Sequence, residues 1–245
     1  MASYNRKKWR RYEILKKIST IAPHLPETKT FSEKAFWELM NKYGQIIVKP
    51  NNGRRGKGVI KIEEIGSQKY EIQIEDKKLT MGKEETFAFA SQHVNDQAYL
   101  IQERISLAQI DDRIIDFRVI VQRKTYDDPW TVTAMVVKVA GKGYVVTNIA
   151  RSGGEILYVE DAVQRSDLNV SPQTLKAALE TITVKASERL AKYYSKQRIF
   201  GFDMGVDKNG HIYIIEANLD PMMSHFRKLD NQSYYQRIKR YKKGK

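Results

Sequence analysis

Two carboxylates and an amide interrupt an otherwise apolar stretch near the C-terminal end of the chain. The segment "GFDMGVDKNGHIYIIEANLDP", residues 201–221, reads as two short strands around a turn. Asp203, Glu216 and Asn218 stand where a buried strand would carry Val or Ile. Asn209-Gly210 is a strong hairpin signal, because a type I′ turn needs positive φ at both central residues. A two-residue loop there pairs Lys208 with His211, Val206 with Tyr213 and Asp203 with Glu216. Asn218, two residues beyond Glu216, emerges on the same side of its strand. Like charges directly opposed destabilise a sheet, so the patch asks for a cation. Oxygen donors without His or Cys suit Mg²⁺ or Mn²⁺, and magnesium completes its shell with water and substrate phosphates. The alternative is an exposed edge hairpin with scattered polar residues.

Partners for a polyphosphate are present in "IIVKPNNGRRGKGVIKI". An apolar strand delivers Lys49, after which Gly53, Gly56 and Gly58 allow backbone N–H groups to approach phosphate oxygens closely. Arg54, Arg55 and Lys57 add positive charge. The loop is not of the Gly-x-x-x-x-Gly-Lys-Ser/Thr kind, since no hydroxyl follows its lysine and it lies between strands rather than ahead of a helix. Alone it also reads as a basic hairpin tip. Together with the carboxylate hairpin it reads as half of a nucleotide site.

The elements that must position these residues follow from periodicity. Trp9, Tyr12, Leu15 and Ile18 recur at helical spacing, predicting a helix over about residues 5–20. "PETKTFSEKAFWELMNKYG" predicts a second helix with Ser32 as N-cap and Gly44 as stop. Strands are expected at "QIIVKP", "GVIKIEE", "KYEIQIED" and "KLTM", then a helix at "KEETFAFASQHV" and a strand at "AYLIQERI". The second half gives longer strands, "IIDFRVIVQRK", "WTVTAMVVKVA" and "YVVTNIA". A helix follows, with Ser171 capping it and Pro172 in its first position. The expected fold is α/β in the α+β sense. A basic N-terminal helical segment covers residues 1–28, a small lobe with the glycine loop 29–103, and a large lobe with the metal site and basic tail 104–245.

Composition narrows the partners. The 245-residue chain has a net charge of +14, concentrated in "RKKWRR" and "YYQRIKRYKKGK", which favours anionic ligands such as nucleotides and acidic substrates. Nucleic acid is a weaker reading, resting on the two ends alone. Without cysteine there is no disulfide scaffold, thiolate zinc site or cysteine nucleophile, and the four histidines form no His-Glu-x-x-His pattern. The chain shows neither a signal-peptide core nor a run of roughly 18 apolar residues able to span a membrane. A soluble, cytoplasmic protein is expected.

In this order, strand-Lys-Pro, glycine loop, "LIQERI", "DFRVIVQ" and Asp-x₁₂-Glu-x-Asn resemble the ATP-grasp superfamily. The wording "LPETKTFS…KYGQIIVKPNNGRRGKGV" is similar to the YheC/YheD-type, endospore coat-associated members. The resemblance runs from about Leu25 to Pro221 and implies two α+β lobes clasping ATP between them. By the same resemblance Lys49 contacts the nucleotide's α-phosphate, with Lys29 as its partner lysine. Gly53 to Gly58 form a loop over the β- and γ-phosphates. Gln102, Glu103 and Ile105, around Arg104, present hydrogen bonds to adenine, and Asp111 or Asp112 accepts from the ribose. Arg118, Lys138, Asn148 and Arg151 make up the catalytic and substrate-binding set, and Asp203, Glu216 and Asn218 are the metal ligands. The implied chemistry is ATP- and Mg-dependent joining of a carboxylate to an amine or similar nucleophile through an acyl phosphate. The implied setting includes the spore coat and spore-coat protein partners. The alternative is a coat protein that binds ATP without turnover. Members often carry an additional N-terminal domain ahead of these motifs. The nucleotide site is therefore expected intact, with acceptor binding altered, shared or lost.

Overall fold

A computed structural model describes residues 7–53, 56–94, 98–147 and 149–244. Helix α1 (Lys8–Lys16) is shorter than its periodicity predicts and leads through a 3-10 turn, Ala22–His24, into strand β1 (Thr28–Thr30). Helix α2 (Glu33–Tyr43) starts where the Ser32 hydroxyl accepts the Ala35 N–H, and it stops at Gly44, whose φ is 69°. Strands β2 (Gln45–Pro50), β3 (Ile60–Gly66), β4 (Lys69–Ile74) and β5 (Lys77–Gly82) follow, then α3 (Lys83–Val94) and β6 (Tyr99–Glu103). These six strands form one antiparallel sheet in the order β1-β6-β2-β3-β4-β5. Phe36, Leu39 and Met40 of α2 are fully buried against Ile46, Val48 and Ile62 of that sheet.

The second sheet carries most of the buried charged residues. Strands β7 (Gln109–Ile110), β8 (Arg113–Gln122) and β9 (Thr131–Val139) precede helix α4 (Ile149–Ser152) and strand β10 (Glu155–Leu157). Helices α5 (Val159–Arg165) and α6 (Pro172–Ala191) lead to β11 (Ile199–Val206), β12 (Ile212–Asn218), α7 (Ser224–Arg227) and α8 (Ser233–Lys242). The strand order is β10-β9-β8-β11-β12, antiparallel throughout, with β7 paired to β8. "YVVTNIA" departs from expectation: the chain leaves the sheet after Ala140, and β10 takes the place beside β9. Among the described residues no helix is long and apolar enough to cross a membrane.

Alternation divides this sheet into two unlike faces. Phe117, Val119, Val121, Met135, Val137, Val139, Phe200, Phe202 and Met204 point one way, into a core shared with α1, α5 and α6. Asp116, Arg118 and Ile120 of β8 point the other way, with Ala134, Val136 and Lys138 of β9, Asp203 of β11, and Glu216 and Asn218 of β12. On this second face Ile120, Ala134 and Val136 are covered by Phe226, Leu229 and Ile238 from the C-terminal segment. The charged half beside them is left to the cleft.

Candidate functional site

The β11–β12 hairpin brings Asp203 opposite Glu216 by a different route from the one its sequence suggests. Its loop holds three residues, closed by Gly210 N–H to Asp207 O at 2.9 Å, and Gly210 alone takes positive φ, at 84°. Val206 therefore pairs with Ile212 rather than Tyr213, and Asp207 with His211 rather than Lys208 with His211. A β-bulge between Asp203 and Met204 then restores the register by leaving Ile215 as the extra residue. The Ile215 carbonyl lies 3.4 Å from the Lys49 ammonium. The tight two-residue turn with two positive φ angles is found instead at Asp111 and Asp112, at 50° and 59° between β7 and β8. Aspartate tolerates that region better than most side chains.

Asp203 is the centre of the site. Arg118 grips it as a fork, Nε to Oδ1 at 2.9 Å and Nη2 to Oδ2 at 3.0 Å. The Lys138 ammonium donates to Oδ1 at 2.9 Å and Asn218 Nδ2 to Oδ2 at 3.1 Å. Burial alone would raise the Asp203 pKa, but Arg118 and Lys138 outweigh it and hold the carboxyl well below the usual range. Lys138 is shared with Asp116 at 2.8 Å, and the Thr147 hydroxyl donates to the same carboxylate. Burial pushes Asp116 up, against the pull of Lys138. Sequence reading missed Asp116, although it stands two residues before Arg118 and its alternation places it on the same face.

Across the cleft, Lys49 on β2 donates to Gln102 Oε1 at 2.7 Å, and Gln102 Nε2 donates to the Thr28 hydroxyl at 2.7 Å. Burial, reinforced by the nearby Lys8 charge, pulls the Lys49 ammonium down to about 7, with Glu216 and Asp203 opposing. The first turn of α1 closes this end. Lys8 N–H meets Asn51 O at 3.1 Å, Trp9 N–H meets Asn51 Oδ1 at 2.9 Å, and the Lys8 ammonium pairs with Glu216 at 3.2 Å. A cavity of about 30 Å³ remains between Lys8, Arg11, Lys49, Gln102, Ile215 and Glu216. Sequence reading took Lys8 only as part of a basic run, and no local pattern announces its place beside Glu216.

The remaining expected site residues separate into groups. Gly53, Gly56, Lys57 and Gly58 form the β2–β3 connection, with Gly56 lying against Val146 of the opposite lobe. Glu103 accepts the Glu27 N–H at 3.0 Å, and Ile105 O accepts Leu107 N–H at 3.0 Å. Lys29 lies apart, engaged by Glu27 and Glu38 rather than by any group of the cleft. Asp111 is an exposed turn residue 3.4 Å from Arg113. Arg54, Arg55, Asn148 and the side chain of Arg151 lie outside the described residues.

Two carboxylates and an amide on one sheet face give an all-oxygen donor set, which fits a hard divalent cation. Among the described residues no third carboxylate or histidine joins them in a metal-holding cluster.

Comparison with known proteins agrees with this arrangement. A family model described as YheC/D like ATP-grasp matches residues 2–242. The endospore coat-associated protein YheD of Bacillus subtilis (strain 168) is 28% identical over 228 residues, covering 89% of this chain and 49% of YheD. The chain thus spans about half the length of that curated relative. Among solved structures, D-cycloserine synthetase DcsG superposes with a TM-score of 0.59 at 12% identity, over 100% of this chain and 72% of DcsG. The ATP-grasp ligase PsnB, complexed with a phosphomimetic variant of a minimal precursor, Mg and ADP, gives 0.57 at 14% identity, over 100% of this chain and 60% of PsnB. The sheets, the cleft between them and the family match lead to one assignment: the chain belongs to the YheC/D-like ATP-grasp family.

Proposed function

We propose that this protein is an ATP-dependent ligase that activates a carboxylate as an acyl phosphate and passes the acyl group to an amine or similar nucleophile. The observation that carries the reading is the single sheet face on which Arg118, Lys138, Asp203, Glu216 and Asn218 converge opposite Lys49. Asp203, Glu216 and Asn218 would hold a divalent cation, which when bound supplies charge neutralisation for the triphosphate. Lys49 offers its ammonium to the phosphates, and Gln102 orients it through the 2.7 Å bond. Arg118 and Lys138 are already in place and desolvated, so the charge developing on the transferred phosphoryl group meets fixed donors without reorganisation. Asp116 keeps Lys138 pointed at the cleft and accepts the Thr147 hydroxyl. No protein nucleophile is needed.

PsnB has been solved with a precursor peptide, and the net charge of +14 suits an acidic acceptor, so an acidic peptide or amino acid is the substrate class to try first. A second reading, ATP binding without turnover in a coat-associated role, draws on YheD's description. It also draws on the four hydrogen bonds with which the protein itself occupies Asp203. The deciding measurement is ADP release from Mg–ATP in the presence of amino acids and acidic peptides, with Glu216→Gln as control. Acceptor-dependent release above the control supports ligation. Nucleotide binding with release no greater than the control supports the second reading.

A further inference from the structure

Helix α8 runs from the charged half of the second sheet to a cluster of unpaired cations. Near its start Tyr234 faces Tyr158, with ring centroids 6.3 Å apart, and Tyr158 directly follows β10, whose Ile156 pairs with Lys138. Further along, Ile238 O accepts Gln122 Nε2 at 3.3 Å, and Gln122 ends β8 four positions past Arg118. A strand rises about 3.4 Å per residue, so the second half of α8 lies about 14 Å along the sheet from Arg118.

Residues 231–245 hold six cations and no acid. Other segments meet them at the end of the helix. Arg198, just ahead of β11, donates to Lys242 O at 3.1 Å and to Lys124 O, and the Lys124 ammonium lies 5.6 Å from the centre of the Tyr241 ring. Lys124, Lys239, Arg240, Lys242 and Lys243 are exposed, and among the described residues none of the five forms an ion pair. A helix C-terminus favours one or two cations in its last turn. It does not account for five.

The chemistry of the patch narrows its partner. Single-stranded nucleic acid is held by open aromatic faces as well as by charge. Here Tyr241 and Tyr235 already lie against Lys124 and Lys239, and Tyr234 packs with Tyr158 and Phe226. A membrane surface needs an exposed apolar face, whereas Ile238 of α8 is buried with Ile120, Ala134 and Val136. Carboxylates need only the cations.

We propose that the exposed side of α8, together with Lys124, is a docking surface for an acidic polypeptide that lies along the helix while one of its carboxylates reaches Arg118 and Lys138. The identity of the reacting group rests on the ligase reading above; the docking does not. An extended chain covers about 14 Å in about four residues, so the surface adds affinity only for longer peptides.

The test uses the full chain and fluorescein-labelled homoglutamate peptides of two to ten residues, with binding read by fluorescence anisotropy. The variant Arg240→Gln/Lys242→Gln/Lys243→Gln is measured beside it, with thermal unfolding as a check that its fold is kept. The parent's affinity should rise at least about tenfold from two residues to ten, with the step beyond about four, as several exposed ion pairs together give. The variant should lose that gain and bind the two-residue peptide as the parent does. No gain with length in the parent, which needs no variant to measure, overturns the docking surface, and so does a folded variant that keeps the gain. Tighter binding of a ten-residue oligouridylate, or of phosphatidylglycerol vesicles, with the same loss in the variant overturns the choice of a polypeptide. ADP release from Mg–ATP is then followed with the unlabelled peptides. The variant should raise KM for the long peptides at unchanged kcat, and a fall in kcat at unchanged KM overturns the docking role. No release with any peptide overturns the ligase reading, while the anisotropy series still decides the docking surface.

Discussion

Replacing Lys49 by methionine should stabilise this protein at neutral pH while abolishing nucleotide binding. The ammonium is held at about 7 in the folded chain, against an ordinary lysine value of 10.5. Between those values the unfolded chain binds more protons than the native one, so stability rises with pH across that window. At pH 7 the implied cost of burying the group is about 4 kcal/mol, from a shift of about 3.5 units at 1.36 kcal/mol each, reduced because the native group is half protonated there. Methionine fills similar volume without the charge, but it leaves Gln102 Oε1 unpaired, a loss of about 1–3 kcal/mol. The net gain at pH 7 is then about 1–3 kcal/mol, or several degrees in Tm for a chain of this size. At pH 10 most of the lysine's cost has been relieved and the variant should be the less stable protein. The assay is thermal unfolding of both proteins at pH 7, 8.5 and 10, with AMP-PNP titration alongside. A stability difference that stays constant across the three pH values would show that Lys49 is not held deprotonated by burial.

Other consequences are open to direct measurement. Asp203→Asn leaves Arg118 and Lys138 buried with less anion than they need, costing about 3–5 kcal/mol by unfolding, with partial rescue by sulfate or phosphate. The contribution of Asp203 is complete above about pH 4 and fades as pH falls through its depressed value, so the same variant should flatten the acid limb of the stability profile. Gly201→Ala places a Cβ 2.3 Å from that of Pro221, so the chain after Asn218 must move. A loss of about 1–3 kcal/mol is expected together with weaker Mg–nucleotide binding, since Gly201 pairs with Asn218; unchanged affinity would refute the coupling.

Much of this site is written in local patterns. Polar residues at alternate positions of apolar strands mark Asp203, Glu216, Asn218, Arg118 and Lys138, because a strand spends a buried position on a charge only where something compensates it. Loop geometry is less legible. Asn209-Gly210 suits both a two-residue turn and a three-residue loop with glycine last, and the choice depends on how Asp207 closes the loop by accepting the Asn209 and His211 N–H groups. "YVVTNIA" is rich in β-branched residues yet leaves the sheet, since Thr147 is drawn to Asp116 instead. Lys8 meets Glu216 only through the packing of distant elements. No spacing rule within a segment reports such an encounter. Lys29 illustrates the converse: its segment fits the motif, but its nearest acids are Glu27 and Glu38.

The bulge at Ile215 gives the hairpin a mechanical joint. On β12 the residues up to Ile214 run one position out of step with Glu216 and Asn218, whereas β11 keeps a single register with β8 from Ile199 to Met204. A change of length at the tip is absorbed at the joint before it reaches the carboxylates. Asp203 and Glu216 stay opposed although the tip runs one residue out of step, much as a slotted coupling lets one shaft slip while the other keeps its phase. The carbonyl released at the joint faces Lys49 of the other sheet, so the point of slack is also where the two sheets touch across the site.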